Sequence, residues 1–205
     1  MWLRHRDAEP SIDPTAYVAP SVVLSGDVRI GPDSRVLHGA VLSADGGAIT
    51  IGANSVIMEQ AVLRGTPAHP VAVGDHVLVG PHAYLTGCEI ADEVFVATGA
   101  MIFNGARMGR ASRVGLGGAV HIGAQVADGD NVPIGWIAVG DPARVYAPGN
   151  AESILAGLSE RGGFLPYVFG VEDTGDRGEV MRTTMRRYTR SLGRHRDDVE
   201  IAPPS

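Results

Sequence analysis

The chain has 205 residues and a formal net charge of −6, and its 44% hydrophobic content includes only 5% aromatic residues. That length holds one substantial core plus an appendage, built mainly from Val, Ile, Leu and Ala. The acidic balance argues against a general nucleic-acid binder, and the single Cys88 excludes an internal disulfide or a cysteine-rich zinc module.

In chain order, the opening "MWLRHRDAEPSIDP" has no apolar signal core, so the expected compartment is cytoplasmic. No apolar run in the chain approaches the ~20 residues of a membrane span, so no membrane partner is expected. All seventeen basic residues are arginine, a bias that GC-rich coding explains without a functional demand.

From about residue 18 to 140 an aliphatic residue recurs every six positions, as in "IGPDSR", "IGANSV", "VGDHVL" and "VATGAM". A period of six is neither the 3.6 of a helix nor the alternation of a flat strand. It fits one short strand per hexapeptide, each followed by a tight turn, so that three hexapeptides close a triangular rung. Stacked rungs then sit ~4.8 Å apart, the spacing of paired strands. The pattern predicts an all-β solenoid, a parallel β-helix of roughly six or seven rungs. One face stacks Ile30, Ile51, Val73, Ile90, Met108 and Val126, and the next stacks Val36, Ile57, Val79, Val96, Val114 and Val132. The third stacks Leu42, Leu63, Leu85, Ile102 and Val120. Two interruptions, "SADGGAIT" (Ser43–Thr50) and "RGTPAHPVA" (Arg64–Ala72), leave the same corner after the third face, which marks a working side.

The pattern stops after "VPIGWIAVGDPARVYAPG". We therefore expect a β-helix domain over residues 1–147 and a C-terminal helical extension over 148–205. That extension would pack on the β-helix or on a neighbouring subunit. "NAESILAGLSERGG" reads as a short helix capped by Asn150. "GEVMRTTMRRYTRSLGRH" reads as a longer α-helix with Val180, Met181, Met185, Tyr188 and Leu192 on its apolar stripe and Arg182, Arg186, Arg190 and Arg194 largely on a solvated face. The tail "DDVEIAPPS" is expected to be loose, Cys88 to be a small buried residue, and Trp2 and Trp136 to pack at the solenoid ends.

"VLHGAVLSAD", "IGANSVIMEQAVLR", "HPVAVGDHVLVGPHAYLTGCEI", "ATGAMIFNGA" and "VGDPARV" together resemble the gamma-class carbonic anhydrases, in register over residues 10 to 147. The resemblance implies a left-handed β-helix and a homotrimer with a zinc ion between two subunits, held by three histidines. Carried over by position, those ligands fall on Arg64, Pro81 and Thr86, and none of the three supplies an imidazole. Ser43, Ala44 and Asp45 stand where the family has Arg-Gly-Asp, and Met58 and Glu59 where it has Gln-Asp.

Proline has no side-chain donor, threonine is a poor zinc ligand, and a guanidinium stays protonated and repels a dication. No metal or other cofactor is therefore expected, and CO2 hydration, which needs a metal-bound water, is expected to be lost. The candidate cleft lies between subunits and is lined by Glu59, Arg64, His69, Pro81, His82 and Thr86, with Ser43 and Asp45 nearby. Arg64 beside Glu59 could take over the metal's electrostatic role, and the cleft could hold a small-molecule ligand.

Three functional classes stay open. The scaffold could be a metal-free trimer with a structural or binding role. It could hold zinc at a relocated set, His38, His69 and His82 with Glu59. Or it could be a hexapeptide acyltransferase using acyl-CoA, with His82 or His69 as general base and Glu59 orienting it. His76 and His121 sit on other columns and read as structural.

Overall fold

The computed structural model describes residues 1–150, 152, 154, 156, 164–172 and 174–202. The hexapeptides fold as short strands that stack into three parallel sheets, one for each column of the repeat. The first sheet has seven strands, and its register aligns Ile30, Ile51, Val73, Ile90, Met108 and Val126. The second also has seven and aligns Val36, Ile57, Val79, Val96, Val114 and Val132. The third aligns Leu24, Leu42, Leu63, Leu85, Ile102, Val120 and Ala138. All of these side chains are buried and together form the core. Each large aliphatic one contributes about 1.5–3 kcal/mol by leaving water.

The corners explain several polar residues of the repeat. Asp33, Asn54, His76, Glu93 and Ala111 occupy the same turn position, with φ between 55° at Asn54 and 63° at Glu93. At the next corner Gly39, Gln60, His82 and Gly99 share a left-handed turn, with φ of 56° at His82. Glycine enters this conformation without penalty, and Asn, Asp and His enter it more readily than most other residues. His76 and His82 are therefore turn residues by backbone geometry.

Both interruptions leave the third sheet, after Val41–Ala44 and after Val62–Gly65. They lie directly on one another: a Cβ added at Gly47 would overlap the Thr66 carbonyl oxygen, and one at Gly65 would overlap that of Gly47. Only glycine permits this approach of two backbones.

The third sheet has ten strands, and its two outermost are antiparallel to the rest. Arg144–Tyr146 folds back on Ile137–Val139, and Val199–Ile201 pairs with Trp2–Arg4. The tail, expected to be loose, is a strand through residue 201. The physical reason is the edge at Trp2–Arg4, whose free backbone groups accept a partner whatever its side chains. Ile201 packs against the core, as do Trp136 and the buried Trp2.

The helix expected from Asn150 falls mostly outside the described residues; within them Glu152, Ile154 and Ala156 are helical, and Ile154 N–H donates to Asn150 O at 3.2 Å. A short helix spans Phe164–Phe169 and a long one Arg177–Leu192. Asp176 caps the long helix by accepting from Gly178 N–H at 2.8 Å and Glu179 N–H at 3.3 Å. Its buried residues are Val180 and Thr184, whereas Met181 and Met185 of the expected stripe are exposed. Burying Thr184 costs little because its hydroxyl donates to Val180 O at 2.8 Å within the helix.

Cys88 is buried, and desolvation pushes its thiol pKa far up. The thiolate is the reactive form, so Cys88 should resist iodoacetamide in native protein and react once the chain is unfolded in guanidinium. Alkylation of native protein at pH 8, followed by mass spectrometry, checks this.

Candidate functional site

Strand alternation sends Leu63 and Leu85 inward and their neighbours outward. The third sheet therefore presents a column in which Ser43 pairs with Arg64, and Arg64 with Thr86. Phe103 and His121 continue the column at the next two rungs. The long helix lies across it.

Arg64 is the centre of the arrangement. Its Nη2 donates to Asp45 Oδ2 at 2.8 Å, and its guanidinium carbon lies 5.5 Å from the centre of the Tyr188 ring. Burial works against its charge, but the hydrogen bond to Asp45 and the nearby Tyr188, Asp45 and Tyr84 outweigh it, so its pKa is raised. The cation is thus fixed by an anion on one side and a π-face on the other.

Between the column and the helix lies a cavity of about 280 Å³. Tyr84, Phe103, Phe169 and Tyr188 contribute aromatic rings to its wall, and Arg64 and Arg187, against the one carboxylate of Asp45, give the lining a net positive charge. Phe169 and Tyr188 meet edge to face, with centres 5.2 Å apart. Arg187 Nη1 donates to Gly170 O at 2.9 Å, tying the long helix to the end of the short one. Thr86 and Asn104, both buried, add polar atoms to the lining.

The other residues singled out from sequence lie elsewhere in the chain. His38 is exposed and shares a 2.8 Å hydrogen bond with Ser21 Oγ. Pro81 and the exposed His82 sit at the corner between the second and third sheets. Glu59 is stacked beside them, its carbonyl accepting from His82 N–H at 3.1 Å. His69 belongs to the second interruption; its ring stacks on Tyr167 with centres 5.6 Å apart, and it lines a separate hollow of about 160 Å³ with Glu89 and Arg107. Within one chain, then, Asp45, Arg64 and Thr86 come together, and Glu59, His69, Pro81 and His82 do not join them. His38, His69 and His82 do not converge within one chain. Among the described residues, the histidine-containing group close enough to share an ion is His5, His195 and Asp198.

Sequence reasoning missed Tyr84, Phe103, Asn104 and Tyr188 as walls of this cavity. A signal existed for two of them. Aromatics are scarce in this chain, and Tyr84 and Phe103 both fall on the third-face repeats beside the interruptions. Burial lowers the pKa of His121, which lies 5.8 Å from Phe103 ring to ring, in keeping with a structural role.

No protein-family model matches the chain. Among curated proteins it is similar to the mitochondrial gamma carbonic anhydrase 3 of Arabidopsis thaliana, at 36% identity over 109 residues, covering 47% of this chain and 42% of that protein. It is also similar to the carnitine operon protein CaiE of Escherichia coli, at 32% identity over 95 residues, covering 46% and 48%. The match thus spans less than half the length of these relatives. Among solved structures it is similar to a Bacillus cereus protein provisionally named an acetyltransferase, with a TM-score of 0.52 and 23% identity over 93% of this chain and 94% of the other. That likeness establishes the hexapeptide-repeat fold.

Proposed function

We infer that this chain, a hexapeptide-repeat β-helix protein similar to the gamma carbonic anhydrases over its coils, has no zinc at that family's position and binds a small organic anion there instead. The observation that carries this is the state of Arg64. A guanidinium held by Asp45 at 2.8 Å and by Tyr188 fills one of the positions where the resemblance puts a zinc ligand. Thr86, at a second such position, is buried under the same chain's helix, and Pro81, at the third, has no donor atom to offer. These residues do not fit a zinc ion.

They do fit a carboxylate on a short apolar body. A guanidinium has five N–H donors, and the bond to Asp45 uses one of them. Four aromatic rings with a few polar atoms form the kind of wall that encloses small ligands, and 280 Å³ suits one of about benzoate size. We expect benzoate or hexanoate to bind in calorimetric titration and benzyl alcohol not to. Arg64→Gln removes a charge-assisted hydrogen bond of about 1.5–3 kcal/mol, so affinity should fall about 10- to 100-fold. Equal binding of acid and alcohol, or unchanged affinity in Arg64→Gln, would rule the reading out.

The resemblance supports a homotrimer, and the point at which the hexapeptide pattern stops supports a division into residues 1–147 and 148–205. Among the described residues no helix is long and apolar enough to cross a membrane. Acyl transfer from acyl-CoA is the alternative chemistry of this fold. His82, its candidate base, points from an exposed turn, and a thermal-shift screen with acyl-CoA compounds separates the two readings.

A further inference from the structure

We propose that His5, His195 and Asp45 form a divalent-metal site, oriented by Asp198 and distinct from the position to which the resemblance assigns zinc. The four residues come from three parts of the chain: the N-terminal segment, the first interruption, and the 3-10 turn Gly193–Asp197 with its following residue. The two imidazole rings are stacked, with centres 4.3 Å apart and planes 20° from parallel.

One carboxylate holds both rings from behind. Asp198 Oδ2 lies 2.8 Å from His195 Nδ1, and its Oδ1 is bonded to His5 Nδ1. Burial pushes the Asp198 carboxyl up, but the hydrogen bonds from His195 and His5 outweigh it, and the net pKa is lowered. An ionised carboxylate only accepts, so each Nδ1 donates to it, and the neutral form of each ring then presents its lone pair at Nε2. A carboxylate behind an imidazole is the usual outer support of a metal-bound histidine.

In front, both lone pairs face one atom. Asp45 Oδ1 lies 3.8 Å from His5 Nε2 and 3.7 Å from His195 Nε2, beyond hydrogen-bond distance from either. His5 and Asp45 side chains are 1% and 5% exposed, and His5 Nε2 and Asp45 Oδ1 have no hydrogen-bond partner. Three potential donor atoms therefore converge, two of them on nearly dry side chains and the third on His195, whose side chain is 31% exposed, an arrangement that a bound cation would stabilise. Ligands at ~2.0–2.1 Å around a tetrahedral zinc are separated by about 3.4 Å, so a few tenths of an ångström of closure would complete the set. Arg64 occupies the other Asp45 oxygen, and the Arg6 guanidinium, 3.6 Å from Oδ1, is the cation an ion would displace there. A hollow of about 300 Å³ lined by His5, Arg6, Asp27 and Gly46 gives a way in. Two imidazoles and a carboxylate suit Zn²⁺ and the late first-row ions.

An ion here would fasten the end of the long helix to the solenoid and so hold Tyr188 over the anion pocket. The test is direct titration of chelator-treated, full-length protein with Zn²⁺ and with Co²⁺. The expected results are one ion per chain, a visible Co²⁺ absorption band typical of four- or five-coordinate sites, and a Tm raised by about 5 °C or more at hundredfold excess over Kd. His195→Ala should abolish all three. His76→Asn, which removes only a surface imidazole at a left-handed turn that asparagine also adopts at position 54, should leave them unchanged. Absence of stoichiometric binding by the wild-type protein would overturn the proposal, as would binding that survives His195→Ala. None of the three readouts involves the organic anion, so failure here leaves the anion-pocket reading standing, and the converse holds too.

Discussion

Purified protein, stripped of metal or resupplied with zinc, is expected to hydrate CO2 no faster than buffer alone in a stopped-flow indicator assay. Hydration at neutral pH needs a metal-bound water whose pKa has been brought near 7. At the position where the resemblance places that metal, the chain holds the Arg64 guanidinium, paired to Asp45 and lying against Tyr188. Two unit charges 4 Å apart interact by about 4 kcal/mol at an effective dielectric of 20, so a dication beside Arg64 would meet about 8 kcal/mol of repulsion before Asp45 is counted. Donor atoms to offset that repulsion are missing, since Pro81 offers none and Thr86 only a neutral hydroxyl. Running the same assay on His195→Ala separates any rate due to zinc at the His5 cluster, where three protein ligands would leave an open position, from the inherited chemistry. A zinc-dependent rate above buffer, removed by chelation, would refute the loss of the inherited chemistry.

The second large effect is structural. Gly47→Ala should destabilise the protein by about 3 kcal/mol or more, because the new methyl group collides with the backbone carbonyl of Thr66 and neither loop can yield without breaking its own hydrogen bonds. For a chain of this size that corresponds to a Tm lower by about 6–12 °C. Gly193→Ala is the matched control. Its backbone is in the ordinary helical region at φ −58°, and an added Cβ there meets open space. It should be neutral or stabilising by up to about 1 kcal/mol. Thermal melts of the two variants give the comparison, and a Gly47→Ala protein within 1 kcal/mol of wild type would mean that the loops are not stacked as described.

The solenoid was legible because its rule is local. One aliphatic residue in six, read in phase, assigns Ile51, Ile57 and Leu63 to three different sheets, and the same phase puts both interruptions on the third corner. Arg64 and Asp45 stand out through the resemblance, which carries a zinc-ligand position onto the first and the aspartate of the family's Arg-Gly-Asp onto the second. What could not be read depends on contacts between distant segments. His5 and Asp198 are 193 positions apart, and nothing in "LRHRD" or "GRHRDD" says that the two imidazoles stack. On the long helix Val180 and Tyr188 of the expected stripe face the solenoid, but Met181 and Met185, which hydropathy favours, are exposed, whereas the buried Thr184 satisfies its hydroxyl inside the helix. The tail was misread because "DDVEI" pairs through its backbone at an edge whose location only the fold reveals.

The reversed strands at the two extremities of the third sheet bear on how copies of this protein can meet. An unprotected coil edge is a template on which another molecule could add head to tail and continue into a fibre. On this face Val199–Ile201 occupies one such edge and Arg144–Tyr146 the other. On this face a further coil would meet a strand running the opposite way, which disfavours in-register parallel addition, and the flanks of the prism offer another surface for association.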